Sequence, residues 1–352
     1  MRRAVVPLVM LVVATATIDR GSLTAQGSPY TWTAQPSGVT VRLRGVSAVS
    51  NETAWASGAG GTVLRTTDGG RTWQRRPVPG AEALDFRDVD ATSAAVAHVL
   101  SIGPGEASRI YATADGGATW TERFRNADPD AFYDAMAFAD ATHGVAVSDS
   151  VGGRFVVRRT SDGGRTWTAE PADRLPPALA GEGAFAASGT NVTMAGRDRL
   201  WMGTTAARVL RTLDGGRTWS VHQAPLATGD ATGIFSIAFR DAAHGVVVGG
   251  NYQREGEAVD NVAITTDGGT TWTRPSGAGL SGFRSVVAWL PGPSPRLLAV
   301  GPSGADWSND GGATWQPAGG DGYDAFSAAP SGSGGWATGA GGRIARVTFA
   351  GR

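Results

Sequence analysis

Short runs of alternating or apolar residues, three to six residues long and often next to glycine, recur along the chain. Residues 135–138 and 145–147 form one pair of runs, and residues 236–239 and 246–248 form another. Runs of this length with a two-residue period are typical of β-strands, and the longer period of a helix is not evident. The pattern therefore predicts an all-β chain.

An eight-residue motif, Ser/Thr-x-Asp-Gly-Gly-x-Thr-Trp, follows these runs six times, first at residues 66–73. Two glycines that adopt positive φ fit a tight turn, and the aspartate accepts N–H groups inside it. We expect each tryptophan to pack into the core of its own sheet. These roles are structural, and we prefer them to calcium binding or catalysis because the carboxylate recurs in every copy. The aspartates are Asp68, Asp115, Asp162, Asp214, Asp267 and Asp310, and the tryptophans are Trp73, Trp120, Trp167, Trp219, Trp272 and Trp315.

The motif returns at intervals of 43 to 53 residues, which is typical of a β-propeller with one four-stranded antiparallel blade per repeat. After the sixth motif the chain still holds three strand patterns. Residues 30–36 resemble residues 165–171, which follow a motif, so they are expected to supply the missing fourth strand. The sequence thus predicts a seven-bladed propeller whose N-terminal strand joins the C-terminal blade. Six blades with an appendage is the alternative.

The first residues have the pattern of an export signal. Arg2 and Arg3 precede an apolar run over residues 4–18, as in a secretory signal peptide. We predict a signal peptide at residues 1–25 and one propeller domain at residues 26–352, with an uncleaved anchor as the alternative. The mature protein is expected to be a periplasmic or secreted bacterial monomer without a stable membrane anchor.

Composition argues against several classes of function. The formal net charge is zero, which does not favour nucleic-acid binding. Cysteine is absent, which excludes disulfides and cysteine-held metals. We expect no metal and no cofactor, because the four histidines show no ligand spacing: His143 and His244 occupy matching turns, His222 is expected to be exposed, and His98 has no recognisable partner.

The six motifs, together with the stretch Phe-x-Asp-x-x-His-Gly at residues 138–144 and 239–245, resemble the Asp-box (BNR repeat) propellers. These include bacterial sialidases, xyloglucanases, sortilin-type receptors and the photosystem II stability and assembly factors. The chain looks most similar to the last family and its non-photosynthetic bacterial relatives. The resemblance implies a seven-bladed propeller that binds a protein client. Some relatives are labelled oxidoreductases, although this sequence offers no redox centre.

Departures from the repeat indicate where a binding site lies, because residues that build blades recur. The first strand of each blade is expected to line the channel, and two insertions, Asp173 to Gly189 and Gly249 to Asn261, are expected to enlarge its mouth. Arginines there would grip client carboxylates; ordinary solvated loop ends are the alternative. The predicted binding residues are Arg44, Arg87, Tyr133, Asp134, Glu182, Tyr252, Arg284 and Asp324.

The favoured function is an exported, non-catalytic propeller that binds a protein or peptide. The alternative is a glycoside hydrolase that uses Asp134, Asp149 or Glu182 as acid and base. A sialidase mechanism further needs an arginine triad and a tyrosine nucleophile, and tyrosine is scarce here. A purely structural part of an envelope complex is the third hypothesis.

Overall fold

The computed structural model describes residues 29–349, which form seven antiparallel sheets around a central channel. The first strands of successive blades contact one another around the complete ring. The all-β, seven-bladed prediction is therefore confirmed. The predicted signal peptide lies outside the described residues. Within residues 29–349, no helix is long and apolar enough to cross a membrane.

Strand β1 (Tyr30–Gln35) opens the described chain, and blades 1 to 3 follow with four strands each. Their inner strands come first and their outer strands last. Blade 1 holds β2 (Leu43–Ala48), β3 (Ala54–Gly58), β4 (Thr62–Thr66) and β5 (Gln74–Arg75); blade 2 holds β6 (Asp85–Ala91), β7 (Ala97–Ile102), β8 (Arg109–Thr113) and β9 (Thr121–Arg125); blade 3 holds β10 (Tyr133–Phe138), β11 (Gly144–Val151), β12 (Arg154–Thr160) and β13 (Thr168–Ala169).

Blades 4 to 7 repeat this order, and three 3₁₀ turns at Gly105–Ala107, Ala172–Arg174 and Ala340–Gly342 lie in connections. Blade 4 holds β14 (Val192–Ala195), β15 (Arg199–Gly203), β16 (Arg208–Thr212) and β17 (Ser220–Gln223); blade 5 holds β18 (Ile234–Phe239), β19 (Gly245–Gly249) and β20 (Val262–Thr265); blade 6 holds β21 (Val286–Trp289), β22 (Leu297–Gly301), β23 (Gly304–Ser308) and β24 (Gln316–Pro317); blade 7 holds β25 (Ala325–Ala328), β26 (Gly334–Thr338) and β27 (Ile344–Phe349).

The two ends of the described chain meet in blade 7. Strand β1 pairs with β27 along its whole length, from Tyr30 opposite Phe349 to Gln35 opposite Ile344. Trp32 stacks on Tyr323 with ring centroids 5.5 Å apart, and its indole N–H donates to the Ala318 carbonyl at 3.2 Å. The predicted closure is confirmed, and it removes a free sheet edge.

Each of the six motifs forms the turn between a blade's third strand and its outer segment, as the first copy illustrates. The Asp68 carboxylate accepts the Thr72 N–H at 3.0 Å and the Thr72 hydroxyl at 2.7 Å. The Thr66 hydroxyl donates to Asp68 and accepts the Gly70 N–H, both at 2.9 Å. Gly70 has φ +84°, which favours glycine.

The motif tryptophans correct one expectation. Trp73 lies in a cluster that contains Leu64 of its own blade and Trp336 and Ile344 of blade 7. It therefore fills the interface with the preceding blade rather than its own sheet. Trp167, Trp272 and Trp315 are buried in corresponding clusters, whereas Trp120 and Trp219 are only partly buried.

Blade 5 departs from the four-stranded pattern. Its outer segment contributes one bridge, between Ile264 and Thr273. In blades 1 and 3, the residue two positions after the one that matches Thr273 donates its N–H to the third strand. In blade 1 this residue is Arg76, which donates to the Val63 carbonyl at 2.8 Å. Pro275 stands at this position in blade 5 and has no N–H to donate. The proline thus explains why the outer strand ends.

Candidate functional site

Four inner strands carry a β-bulge where the chain enters them, at one end of the channel that we call the mouth. At each bulge one residue of the inner strand has no pairing partner on the second strand. These residues are Arg44, Arg87, Asp134 and Phe235 in blades 1, 2, 3 and 5. In blade 7 the Asp324 N–H donates to the Thr338 carbonyl, which places Asp324 at the matching position. A bulge redirects a side chain out of the regular alternation. These residues therefore form a ring at the mouth.

Arg284 does not belong to this ring. In blade 6 the N–H of Ser285 donates to the Val300 carbonyl, so Ser285 occupies the ring position and Arg284 lies one residue earlier, where blade 7 has Tyr323. Arg284 is 1% exposed, and it pairs with the buried Asp306 at 2.7 Å. Burial lowers the pKa of Arg284, an effect that Asp306 opposes. Arg284 stabilises blade 6 and lies outside the mouth cavity.

The first insertion crosses the mouth and is held by buried polar contacts. The Glu182 carboxylate accepts the Thr204 hydroxyl at 2.6 Å and the Arg208 Nε–H at 2.8 Å, and its second oxygen accepts from Arg208 Nη2. Burial opposes ionisation, but the bonds from Arg208 and Thr204 lower the pKa of Glu182. Glu182 is thus an anchor of the insertion.

Blades 2 and 3 lie beneath the insertion. The Asp149 carboxylate accepts the Ala184 N–H at 2.7 Å, and Arg87 donates to the Ala186 carbonyl at 2.8 Å. Burial and the nearby Asp149 raise the pKa of Asp134 well above its usual range, and burial also raises the pKa of Asp149. Tyr133 is buried, and its hydroxyl accepts from Arg158 at 2.6 Å. The insertion therefore covers this side of the mouth.

Beside this covered part, the mouth remains open as a cavity of about 340 Å³, which we call the mouth cavity. It combines four of the eight predicted binding residues, namely Arg44, Arg87, Tyr252 and Asp324. Both insertions contribute to it. Its lining residues are Arg42, Arg44, Arg87, Phe185, Ala186, Ala187, Phe235, Tyr252, Glu255, Phe283, Ser285, Pro302 and Asp324.

The three arginines of the mouth cavity differ in their partners. Arg42 forms a bidentate pair with Asp324 at 2.8 and 2.6 Å. Arg87 pairs with Asp85 at 3.0 Å. The guanidinium of Arg44 makes no hydrogen bond or ion pair within residues 29–349. Burial, followed by Arg87 and Arg42, lowers the pKa of Arg44 to about 10. Arg44 is therefore a cation whose charge is not neutralised by a direct partner.

Aromatic rings form the apolar wall of the mouth cavity. Phe185 stacks on Phe235 with centroids 3.7 Å apart, and Phe283 meets Phe235 edge-on at 4.7 Å. Tyr252 lies edge-on to Phe235 at 6.0 Å and is 43% exposed. A guanidinium beside such a wall suits a ligand that carries an anionic group on an apolar body.

The carboxylates proposed for hydrolysis lie elsewhere. Asp134, Asp149 and Glu182 do not line the mouth cavity. Asp134 and Glu182 are 1% and 3% exposed, and Glu182 is occupied by Arg208. The arrangement does not present two free carboxylates across an open cleft, which glycoside hydrolysis requires.

The histidines have local roles. The Nδ1 atom of His143 lies 3.0 Å from the Asp140 carboxylate, and that of His244 lies 2.9 Å from Asp241, both within turns. His98 stacks on Phe138 at 4.4 Å and contacts the Gly163 carbonyl at 3.1 Å, so it has partners that the sequence did not reveal. His222 is partly buried rather than exposed. Across the described ranges, no cluster of three His, Asp or Glu residues is arranged to hold a metal.

Several residues of the mouth cavity were missed by the sequence analysis. Phe235 occupies the same bulge position as Arg44 and Arg87, so an alignment of blades that included apolar residues would have found it. Glu255 lies inside the second insertion, which is a signal that could have found it, whereas Arg42 carried none. Phe185 lies inside the first insertion, but it carries no polar or charged group that would mark it as a binding residue.

The comparisons with known proteins concern the fold. No protein-family model matches the chain, and no curated protein matches it. Among solved structures, YCF48 bound to a D1 peptide is similar with a TM-score of 0.59 and 18% identity, covering 92% of this chain and 97% of that one. YCF48 from Cyanidioschyzon merolae has a TM-score of 0.60 and 19% identity, covering 90% and 98%. The WD40 propeller of Doa1 has a TM-score of 0.61 and 12% identity, covering 91% and 97%. The chain thus shares the propeller fold of these proteins.

Proposed function

We propose that this propeller binds a protein or peptide client at the mouth cavity and does not catalyse a reaction. The observation that carries the proposal is Arg44, an uncompensated guanidinium beside a wall of aromatic rings in an open cavity. Arginine and aromatic residues are enriched where proteins bind one another tightly. A client carboxylate would meet Arg44, and an adjacent apolar side chain would contact Phe235 and Phe283.

The likeness to a peptide-bound propeller supports the proposal. A propeller of the same fold, YCF48, has been seen with a D1 peptide, and WD40 propellers share the architecture. The burial of Asp134 and of Glu182, and the pairing of Glu182 with Arg208, support the non-catalytic part. On these grounds a binding protein is favoured over the hydrolase.

The same proposal includes the family relationship of the protein and its location in or outside the cell. The sequence motifs support a relationship to the Asp-box propellers, and specifically to non-photosynthetic bacterial relatives of the photosystem II assembly factors. The pattern of residues 1–25 supports export to the periplasm or the medium as a monomer. Sequencing the N-terminus of the protein recovered from the producing cells tests the cleavage, since a mature protein that retains Arg2 and Arg3 would contradict it.

The binding site is tested with selected peptides. Peptides enriched from a random phage library on the immobilised protein are measured by calorimetry against the wild type, Arg44→Gln and Arg71→Gln. Arg71 is exposed on a motif turn at the opposite end of the propeller and serves as the matched control. We expect Arg44→Gln to weaken binding at least tenfold and Arg71→Gln to leave it unchanged. Equal binding by the wild type and Arg44→Gln, or a failure to enrich any peptide, would contradict the proposal.

A further inference from the structure

We propose that the mouth cavity also binds a small apolar zwitterion, the class formed by free aromatic amino acids and apolar dipeptides. The inference rests on the proposed function in that it assigns a ligand to the same cavity. It adds a second charged contact, Glu255, to the anion contact at Arg44. The ligand carboxylate would bind Arg44, its ammonium group would bind Glu255, and its apolar body would lie on the aromatic wall.

The first step is the distribution of charge across the mouth cavity. Arg87 pairs with Asp85 at 3.0 Å and Arg42 pairs with Asp324 at 2.6 Å, so Arg44 is the arginine of the cavity lining whose charge has no direct partner within residues 29–349. Glu255 lines the same cavity and lies near enough to Arg42 to raise the pKa of Arg42, an effect to which Asp324 contributes more strongly. Because Arg42 and Asp324 neutralise each other directly, Glu255 is the acidic charge that remains among the lining residues. A dipolar ligand aligned with these two charges has its carboxylate at Arg44.

Glu255 is held in place by its backbone while its side chain is free. Its carbonyl accepts the Phe283 N–H at 2.8 Å and the Ser303 hydroxyl at 3.1 Å. Its carboxylate accepts no hydrogen bond and forms no ion pair among the residues placed by the structure. A partly buried carboxylate and a partly buried guanidinium that line one cavity without pairing leave both charges available to a ligand.

The volume and the aromatic lining of the mouth cavity restrict the ligand further. The volume of about 340 Å³ lies near the lower limit for small-molecule sites, which suits one or two amino acids better than a folded segment. Phe235 and Phe283 are each 3% exposed, and the half-exposed Tyr252 stands at the opening. Buried aromatic faces favour an apolar or aromatic side chain, and they also attract an ammonium group.

The experiment removes one ligand charge and one protein charge at a time. Binding of alanyl-phenylalanine, its N-acetyl form, its amide form and phenylalanine is measured by calorimetry at pH 7. We expect the wild type to bind the free dipeptide at least tenfold more tightly than either capped form. Arg44→Gln is expected to bind the free dipeptide and its amide equally, and Glu255→Gln to bind the free dipeptide and its N-acetyl form equally. Tighter binding of phenylalanine or of the dipeptide supports the inference in either case and identifies the length.

The controls for this inference, and the results that would contradict it, differ from those that test the proposed function. Glu257→Gln, which affects a carboxylate paired with Arg254 outside the mouth cavity, is expected to bind like the wild type, and thermal unfolding confirms that each variant is folded. Wild-type binding of the N-acetyl form as tightly as the free dipeptide would overturn the zwitterion and assign the site to a peptide C-terminus. If the selected peptides bind while no zwitterion does, only this inference fails. If zwitterions bind while no peptide is enriched, only the client proposal fails.

Discussion

At the scale of single residues, the six motif aspartates act as hydrogen-bond acceptors in repeated turns. Asp115 accepts the Thr119 N–H at 2.9 Å and its hydroxyl at 2.6 Å, as Asp68 does with Thr72. Hydrogen bonds from the threonine lower the pKa of Asp68 and of Asp115 to about 2. The turns thus favour the ionised carboxylates, so the turns are expected to be less stable in acid.

The first stability prediction follows from these carboxylates. The folded protein keeps Asp68 ionised below its usual pKa of 3.8, so the unfolded chain takes up protons first as the pH falls. The free energy of unfolding is therefore expected to fall between about pH 4 and pH 2. Asp68→Asn should reduce stability at pH 7 and narrow the difference from the wild type near pH 2, as measured by urea unfolding at a series of pH values.

The matched control is Asp130→Asn, because the exposed Asp130 carboxylate accepts none of the hydrogen bonds found in the described chain. It should follow the wild type at every pH. If Asp68→Asn and Asp130→Asn have the same pH dependence, the turn bonds do not contribute to stability.

At the scale of elements, the first insertion decides the shape of the mouth. Glu182 ties it to Arg208 and Thr204 of blade 4, and Arg154 donates to the Leu175 carbonyl from blade 3. Leu175 is 1% exposed within the cluster that blades 3 and 4 share. The insertion is thus a packed part of the scaffold, and it positions Phe185 beside the second insertion.

Glu182→Gln tests this anchor. Removal of one charge leaves the Arg208 guanidinium without its buried partner, and breaking such a pair costs about 3–5 kcal/mol. We expect that loss in denaturant unfolding, together with faster proteolysis near the exposed Leu179. Glu257→Gln is the surface control, expected within about 0.5 kcal/mol of the wild type. Unchanged proteolysis and stability in Glu182→Gln would show that the insertion is held by its apolar contacts alone.

At the scale of the whole molecule, the ring depends on the pairing of β1 with β27. Six residues on each strand meet in this pairing, and Tyr30 also contacts Trp307 of blade 6 and Phe349 edge-on. Strand β1 therefore joins blade 7 and covers the outer edge of that blade. This pairing joins the two ends of the described chain, in addition to the contact between the first strands of blades 1 and 7.

A chain that begins at Ser37 tests the closure. It lacks β1, so the outer edge of β27 is left unpaired, and unpaired edges promote association. We expect a lower unfolding temperature and concentration-dependent oligomers by size-exclusion chromatography, compared with a chain that begins at Pro29. A monomeric truncated chain that unfolds at the same temperature would contradict the role of β1.

The repeated strand pattern and motif are the reason that most of the fold could be predicted from the sequence. Strand alternation is a local property, and the glycines and aspartate of the motif specify a turn within eight residues, so the fold, the turns and the closing strand were all predictable. Arg44, Arg87 and Asp324 of the ring at the mouth were also found, because the same position recurs from blade to blade. Arg284 was misplaced by one residue because blade 6 has Ser285 at the ring position, a register that only strand pairing reveals.

The tertiary structure decided which of the predicted residues are free to bind a ligand. Arg42 is neutralised by Asp324, 282 residues away, and Glu182 is neutralised by Arg208, whereas Arg44 has no such partner. Pairing between distant charges depends on distances and burial that no local pattern encodes. The sequence by itself therefore determined the ring and the position of its mouth, and the packing of the two insertions determined where that mouth is open.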